Sequence, residues 1–260
     1  MKIMAITGGS SGIGKVTARL FAENGYKVYE LSRHGTDCAG TTHICCDVTD
    51  RDACKEAIKK IIDENGRIDV LINNAGIGIS GAIEFTDINE AKRQFEVNLF
   101  GPLNITQAVL PYMRTVRNGR IIFVSSLAAE LPIPYQGFYS ASKSALNSMA
   151  CALKNEVKPF GISVCCLLPG DVKTGFTSAR TKSTAGSEVY ERMNRAVKTM
   201  EQDEQQGSSA EQIARKLLKI SRAKKPRMFY TAGVQYHIIL FLNRLLPKTF
   251  VNHVVGRIYG

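Results

Sequence analysis

The sequence lacks several things, and each absence narrows what it is. No apolar stretch approaches the roughly 18 residues of a membrane-spanning helix; the longest strongly apolar run is Ile238–Leu242. No charged n-region and apolar h-region open the chain, because Lys2-Ile3-Met4-Ala5-Ile6 runs directly into glycines, so a secretory leader is not expected. The seven cysteines, at 38, 45, 46, 54, 151, 165 and 166, include no C-x-x-C pair, which argues against a redox dithiol or a zinc knuckle. No metal is expected. Cys45-Cys46 and Cys165-Cys166 lie in strand-like runs, where neighbours point to opposite faces, and they read as small core residues of a protein in the reducing cytoplasm. Acid is scarce at one end. From Gln205 to Gly260 there are ten Lys and Arg against the single acid Glu211, so +9 of the formal +11 sits in the last 56 residues. That imbalance fits either an anionic partner or a solvated basic helix face.

What is present is a core. At 44% hydrophobic and 22% charged, the chain is neither disordered nor fibrous. Its 260 residues suit one large α/β domain and leave no room for a second catalytic domain of ordinary size. Apolar runs that read as strands (3–6, 27–31, 42–46, 69–72, 119–125, 162–168 and 227–231) alternate with segments of helical spacing. The helical segments are 13–24, 50–65, 89–113 with a break near Gly101-Pro102, 139–158 and 211–222. Strands separated by helices pair in parallel through right-handed crossovers. The expectation is a doubly wound Rossmann fold, with a seven-stranded parallel sheet flanked by helices in a single domain over 1–260. Residues 175–209 form a polar insertion after a strand end, where this architecture binds ligands. They are expected to form a substrate lid, with an idle surface loop as the alternative.

Thr7-Gly8-Gly9-Ser10-Ser11-Gly12-Ile13-Gly14 joins the first strand to the first helix. Such glycines admit a close ligand, and the helix N-terminus beyond them suits a pyrophosphate. The spacing is G-x-x-x-G-x-G rather than G-x-G-x-x-G. The second strand ends Glu30-Leu31-Ser32-Arg33. A carboxylate at that end selects the ribose 2′-hydroxyl of NAD, whereas an Arg accommodates a 2′-phosphate. Arg33 therefore points to NADP(H), with Glu30, two residues early, as the competing ribose ligand and a plain surface charge as the other reading of Arg33. Tyr139 and Lys143 lie four apart on one helix face. A neighbouring ammonium lowers a phenol's pKa and makes it a usable acid–base group. Ser126, just past the fifth strand, is placed to hold a substrate carbonyl.

With these motifs the chain resembles the short-chain dehydrogenase/reductase family over nearly its whole length. The matching residues are Thr7–Gly14, Asp47-Val48, Asn73-Asn74-Ala75-Gly76, Asn98, Ser126, Tyr139-x-x-x-Lys143 and Pro169-Gly170-x-Val172-x-Thr174. The resemblance implies a catalytic set of Asn98, Ser126, Tyr139 and Lys143. Tyr139 would exchange the proton, Ser126 orient the carbonyl, and Lys143 lower the Tyr139 pKa and bind the nicotinamide ribose. Asn98 would hold a kinked helix and a relay water. It also implies a cofactor site made by Gly8, Ser10, Ser11, Gly12, Ile13, Gly14, Arg33, Asp47, Val48, Asn74, Ala75, Gly76, Tyr139, Lys143, Pro169, Gly170, Val172 and Thr174. Asp47 and Val48 would cradle adenine, Asn74 and Gly76 would wall the adenosine ribose, and Thr174 would hold the carboxamide. Capping of the following helix is the other reading of Asp47.

Within the family the 95–174 region is most similar to the 17β-hydroxysteroid, retinol dehydrogenase and carbonyl reductase branch. The implied activity is NADP(H)-dependent hydride transfer to or from a lipophilic ketone, aldehyde or secondary alcohol, at a pocket made by Leu127, Ala128, Tyr135, Phe176 and the lid. The alternatives are a catalytically silent NADP(H)-binding regulator and a 3-oxoacyl reductase, although the oxoacyl reductases often carry a Trp that this chain lacks. A homodimer or homotetramer is implied. No nucleic-acid partner is expected, since the tail has no recognition-helix pattern. The C-terminal segment 235–260 carries a helical apolar face at Val251, Val254, Val255 and Ile258. Packing within or between subunits is its first reading; a peripheral membrane surface is another.

Overall fold

The computed structural model describes residues 1–38 and 40–260. Seven parallel strands form the main sheet: β1 (Lys2–Thr7), β2 (Tyr26–Ser32), β3 (Thr41–Cys45), β4 (Val70–Asn73), β5 (Gly119–Val124), β6 (Ile162–Leu168) and β7 (Phe229–Thr231), in the order β7-β6-β5-β4-β1-β2-β3. The strands are apolar on both sides because helices cover both faces. On one face α2 (Arg51–Asn65), α4 (Gly101–Thr115) and α5 (Gly137–Val157) bury Ile58, Ile61, Ile105, Val109 and Leu146 against Ala5, Leu71 and Phe123. On the other, α1 (Gly12–Glu23) and α8 (Ala210–Arg222) bury Phe21, Ile213 and Leu217 against Met4, Ile6 and Ile72. Cys165 and Cys166 enter opposite clusters, both fully buried. Burial pushes the Cys165 thiol up to about 12.

Helix ends are fixed by local chemistry. Asp50 caps α2, accepting from the N–H groups of Asp52 and Ala53 at 2.9 and 3.0 Å, and Gly66 ends the helix at φ 73°. Arg120 on β5 donates to the carbonyls of Ile220, Ser221 and Ala223 at 2.6–2.7 Å, which closes the C-terminal end of α8.

The helical region after β4 differs from the expectation. Helix α3 (Ile88–Phe95) passes into α4 without a break at Gly101-Pro102, both of which are helical. The irregularity comes just before, as a π-helical turn over Glu96–Phe100 in which Gly101 N–H donates to the Glu96 carbonyl. Pro102, which has no N–H to give, directly follows this π turn, where the regular i to i−4 ladder is already interrupted. The insertion 175–209 is more ordered than a polar loop. It holds the short α6 (Phe176–Ala179), two-residue parallel pairings of Ile79–Ser80 with Thr181–Lys182 and of Val172–Lys173 with Ser208–Ser209, and α7 (Met193–Gln206), which buries Met193, Ala196 and Met200. Two final helices, α9 (Val234–Leu245) and α10 (Lys248–Tyr259), complete the chain.

Candidate active site

Strand order reverses between β4 and β1, so the crevice between the loops after these strands opens above their C-terminal ends. Gly8 turns away at φ 66° and Gly12 at φ 50°. Gly14 has an ordinary backbone, but a Cβ there would sit 2.1 Å from the Gly8 carbonyl oxygen. The need at Gly14 is therefore space, while at Gly8 and Gly12 it is conformation. Ser11 precedes α1 without a side-chain cap, so the first-turn N–H groups are left for a ligand. Asn74 braces this turn. Its Nδ2 donates to the carbonyls of Thr7 and Gly8 at 3.0 and 3.1 Å, and the N–H groups of Asn74 and Ala75 donate to Thr7 Oγ1.

From the turn, one cavity of about 770 Å³ runs past Ser11, Gly12, Ile13, Asn74, Ala75 and Gly76 to Ser126, Tyr139 and Lys143, bounded by Pro169, Gly170, Val172 and Thr174. This glycine cradle with free helix N–H groups, leading to a proton-carrying tyrosine, fits a dinucleotide cofactor. The structure thus brings most of the sequence-read residues to one cavity. Gly8, Ser10 and Gly14 shape the turn behind it. Arg33, Asp47 and Val48 lie beyond the ends of β2 and β3, outside the cavity lining.

Asp47 does not cap α2; Asp50 does. Asp47 Oδ1 instead accepts from Thr49 N–H and Oγ1 at 2.9 and 2.8 Å. Burial pushes its carboxyl up, but these bonds and the charges of Arg33 and Arg93 outweigh that and leave it below the ordinary value. The Val48 side chain packs into the core against Gly101. Glu30 is buried under Gly9 and meets His43 Nδ1 at 2.5 Å. Arg33 is exposed, with no ion pair among the described residues.

The catalytic geometry corrects one expectation and bears out part of another. First, Lys143 does not lower the Tyr139 pKa in this arrangement. Its Nζ donates to the Val124 carbonyl at 3.0 Å and lies 5.9 Å from the centre of the Tyr139 ring. Burial depresses the Lys143 pKa to about 8. Burial raises that of Tyr139, opposed by a hydrogen bond with Ser126 and by the charge of Arg180. Second, Asn98 holds the bent helix, as the resemblance implied, from a place behind the cavity lining. It is fully buried in the π-helical turn, accepts from Ile77 N–H, and donates to the Ile77 carbonyl (2.9 Å each) and to Ser142 Oγ at 3.1 Å. It is a positioning residue that fixes the 74–77 loop against α5. Tyr135 is also displaced. Its φ of 59° turns the ring onto Tyr190, 6.3 Å away, rather than into the cavity.

Sequence reasoning missed a polar group beside Tyr139. Arg180, almost fully buried, pairs with Glu204, whose other oxygen accepts from Thr177 Oγ1 at 2.5 Å. Arg180 also stacks over Phe176, which meets Tyr139 at 5.8 Å. No local spacing links positions 180 and 204; only the helical spacing of Met193, Ala196 and Met200 gave a signal for α7. Tyr236 was missed too. Its ring lies on Gly170 and its hydroxyl accepts from Asp171 N–H at 3.0 Å. Most of the remaining wall is apolar, with Leu127, Leu131, Met200, Leu246, Val251 and Val255, and Gln136 and Asn243 interrupt it.

The family described as short chain dehydrogenase matches residues 2–185. The chain is 44% identical to a 3-ketodihydrosphingosine reductase of Bacteroides thetaiotaomicron, over all of this chain and 98% of that protein. It is 30% identical to dehydrogenase/reductase SDR family member 7B of Xenopus tropicalis, over 98% of this chain and 85% of that one. Among solved structures, a short-chain dehydrogenase from Streptomyces avermitilis superposes with a TM-score of 0.85 at 28% identity, over 98% of this chain and 97% of that one.

Proposed function

Because the chain belongs to the short-chain dehydrogenase family and is an oxidoreductase, we propose that it reduces the ketone of a long-chain amphiphile of the 3-ketodihydrosphingosine type with NADPH. The observation that carries this reading is the division of the cavity. Ser126, Tyr139, Arg180 and Glu204 gather at one end, and an apolar channel walled by α9 and α10 extends from it. A molecule with its oxygens near the reacting carbon and an alkyl chain beyond matches that division, as does the relative at 44% identity.

When bound, the nicotinamide cofactor would supply the hydride. Tyr139 then donates its phenolic proton to the ketone oxygen as charge develops there, and Ser126 Oγ–H holds the same oxygen. A phenol is protonated at neutral pH, which suits it to giving a proton in the reductive direction. The Arg180–Glu204 pair offers polar contacts to the substrate head. NADP(H) rather than NAD(H) is favoured by two observations: Arg33 is exposed and unpaired, and Glu30 is turned beneath Gly9 and onto His43.

The test is NADPH oxidation with 3-ketodihydrosphingosine, compared with a steroid, a retinoid and an oxoacyl thioester. Turnover is expected with the first and is expected to fall by about 10²–10⁴-fold in Tyr139→Phe, the range for losing a general acid. Undiminished turnover in that variant overturns the mechanism. NADPH is expected to outperform NADH in kcat/KM. Arg33→Ala should reduce that preference by about 10- to 100-fold, the worth of a charge-assisted hydrogen bond. A wild-type preference for NADH overturns the reading of Arg33.

A further inference from the structure

We infer that the α9–α10 hairpin is a docking surface for an anionic lipid bilayer. Helix α9 is apolar on two opposite sides, and the fold covers only one. On the inner side Tyr236, Ile239, Asn243 and Leu246 line the cavity. On the outer side Val234, Ile238, Phe241 and Leu245 recur at helical spacing and are 76%, 54%, 61% and 65% exposed. At 3.6 residues per turn these four fall within about 60° of one another, forming a continuous ridge. An apolar ridge left in water marks a contact surface.

Charge selects the occupant. Glu211 is the last acidic side chain of the chain, so the hairpin carries Arg244, Lys248 and Arg257 with no carboxylate side chain of its own. None of the three makes an ion pair among the described residues. A second copy docked through the same ridge would set these cations against their own counterparts. A layer of anionic headgroups over acyl chains satisfies both the ridge and the cations. Each helix has 12 residues, and no helix among the described residues is long and apolar enough to cross a membrane, so the hairpin lies on the bilayer rather than through it.

Part of the cavity wall is itself open to solvent. Ile239, Leu242, Phe250, Val254 and Ile258 line it and are each more than a third exposed. The docking surface does not rest on the proposed function.

The experiment is vesicle flotation of the full chain, with phosphatidylcholine alone and with phosphatidylcholine containing phosphatidylglycerol. The wild type is expected to float with the anionic vesicles and less so as salt is raised. The double variant Ile238→Glu/Phe241→Glu is expected to lose at least about tenfold in bound fraction, the equivalent of one large apolar side chain kept out of the bilayer. Neither residue lines the cavity. The variant should therefore keep its circular-dichroism melt and its turnover of a short water-soluble ketone. Wild-type protein that floats with neither vesicle overturns the inference, as does a variant that floats equally well. So does a non-floating wild-type dimer, seen by light scattering, that becomes monomeric in the variant; that result assigns the ridge to a second copy. Flotation needs no turnover. Protein that floats but reduces no ketone overturns the functional reading alone, and protein that reduces the long-chain ketone in detergent but does not float overturns this one alone.

Discussion

Lys143 occupies a place where a cation is costly. It is 4% exposed, its ammonium has one carbonyl partner, and its pKa falls from 10.5 to about 8. Between those values the unfolded chain holds a proton that the folded chain has released. Stability therefore rises with pH across the window from about 8 to 10.5, by about 3 kcal/mol when complete, and is absent below it. Urea unfolding of the wild type, referenced to Lys143→Met so that other titrations cancel, should show this rise; a flat difference refutes it. At this scale the Tyr-x-x-x-Lys pattern and the Ser126 position could be read from spacing alone, because one helix and one strand end carry them. The pKa relation between Tyr139 and Lys143 could not be read, since it depends on whether the ammonium turns to the phenol or to Val124. Arg180 and Glu204 were invisible for a related reason: a buried pair across two elements leaves no period in the sequence.

The π-helical turn at Glu96–Phe100 shows how one element serves another. Its Asn98 spends both ends of its amide on Ile77, with a further bond to Ser142, and so joins the loop after β4 to α5. Asn98→Ala would leave the half-buried Ile77 N–H and carbonyl unpaired. The expected cost is about 2–4 kcal/mol of stability in chemical denaturation. A fall in kcat larger than any rise in KM should accompany it, because the loop that walls the reaction centre loses its tie; a variant with full stability and kcat refutes the role. Strands and most helices were legible from period, since apolar residues recur where both sheet faces are buried. The π turn was not, because one extra residue in a turn alters hydrogen bonds without altering the apolar spacing on either side. Helix α7 was obscured by its own polarity: Met193, Ala196 and Met200 make a narrow stripe in a segment otherwise rich in Lys, Glu and Gln.

Across the whole molecule, both core clusters are complete by Ala232, so α9 and α10 are additions to a finished fold. A chain ending at Gly233 is expected to remain folded, with a melting temperature within a few degrees of the full protein, and to lose turnover of long-chain ketones. Thermal melts with and without NADPH, alongside the turnover assay, check this; global unfolding of the truncated chain refutes it. The basic tail is likewise divided. Three of its ten cations lie on the hairpin, while Arg222 reaches Asn24 at the far end of α1, the sheet edge away from the cavity. The addition is nevertheless latched to the Pro169-Gly170-Asp171 turn of the site. The Tyr236 ring would stand 2.1 Å from any Cβ at position 170, and its hydroxyl holds Asp171. In terms of inheritance, two positions 66 residues apart behave as one locus. A side chain at 170 is admissible only in a chain that has given up the ring at 236, and a chain that gives up the ring frees the Pro169-Gly170-Asp171 turn to drift. Related sequences should therefore vary at these two positions together or not at all.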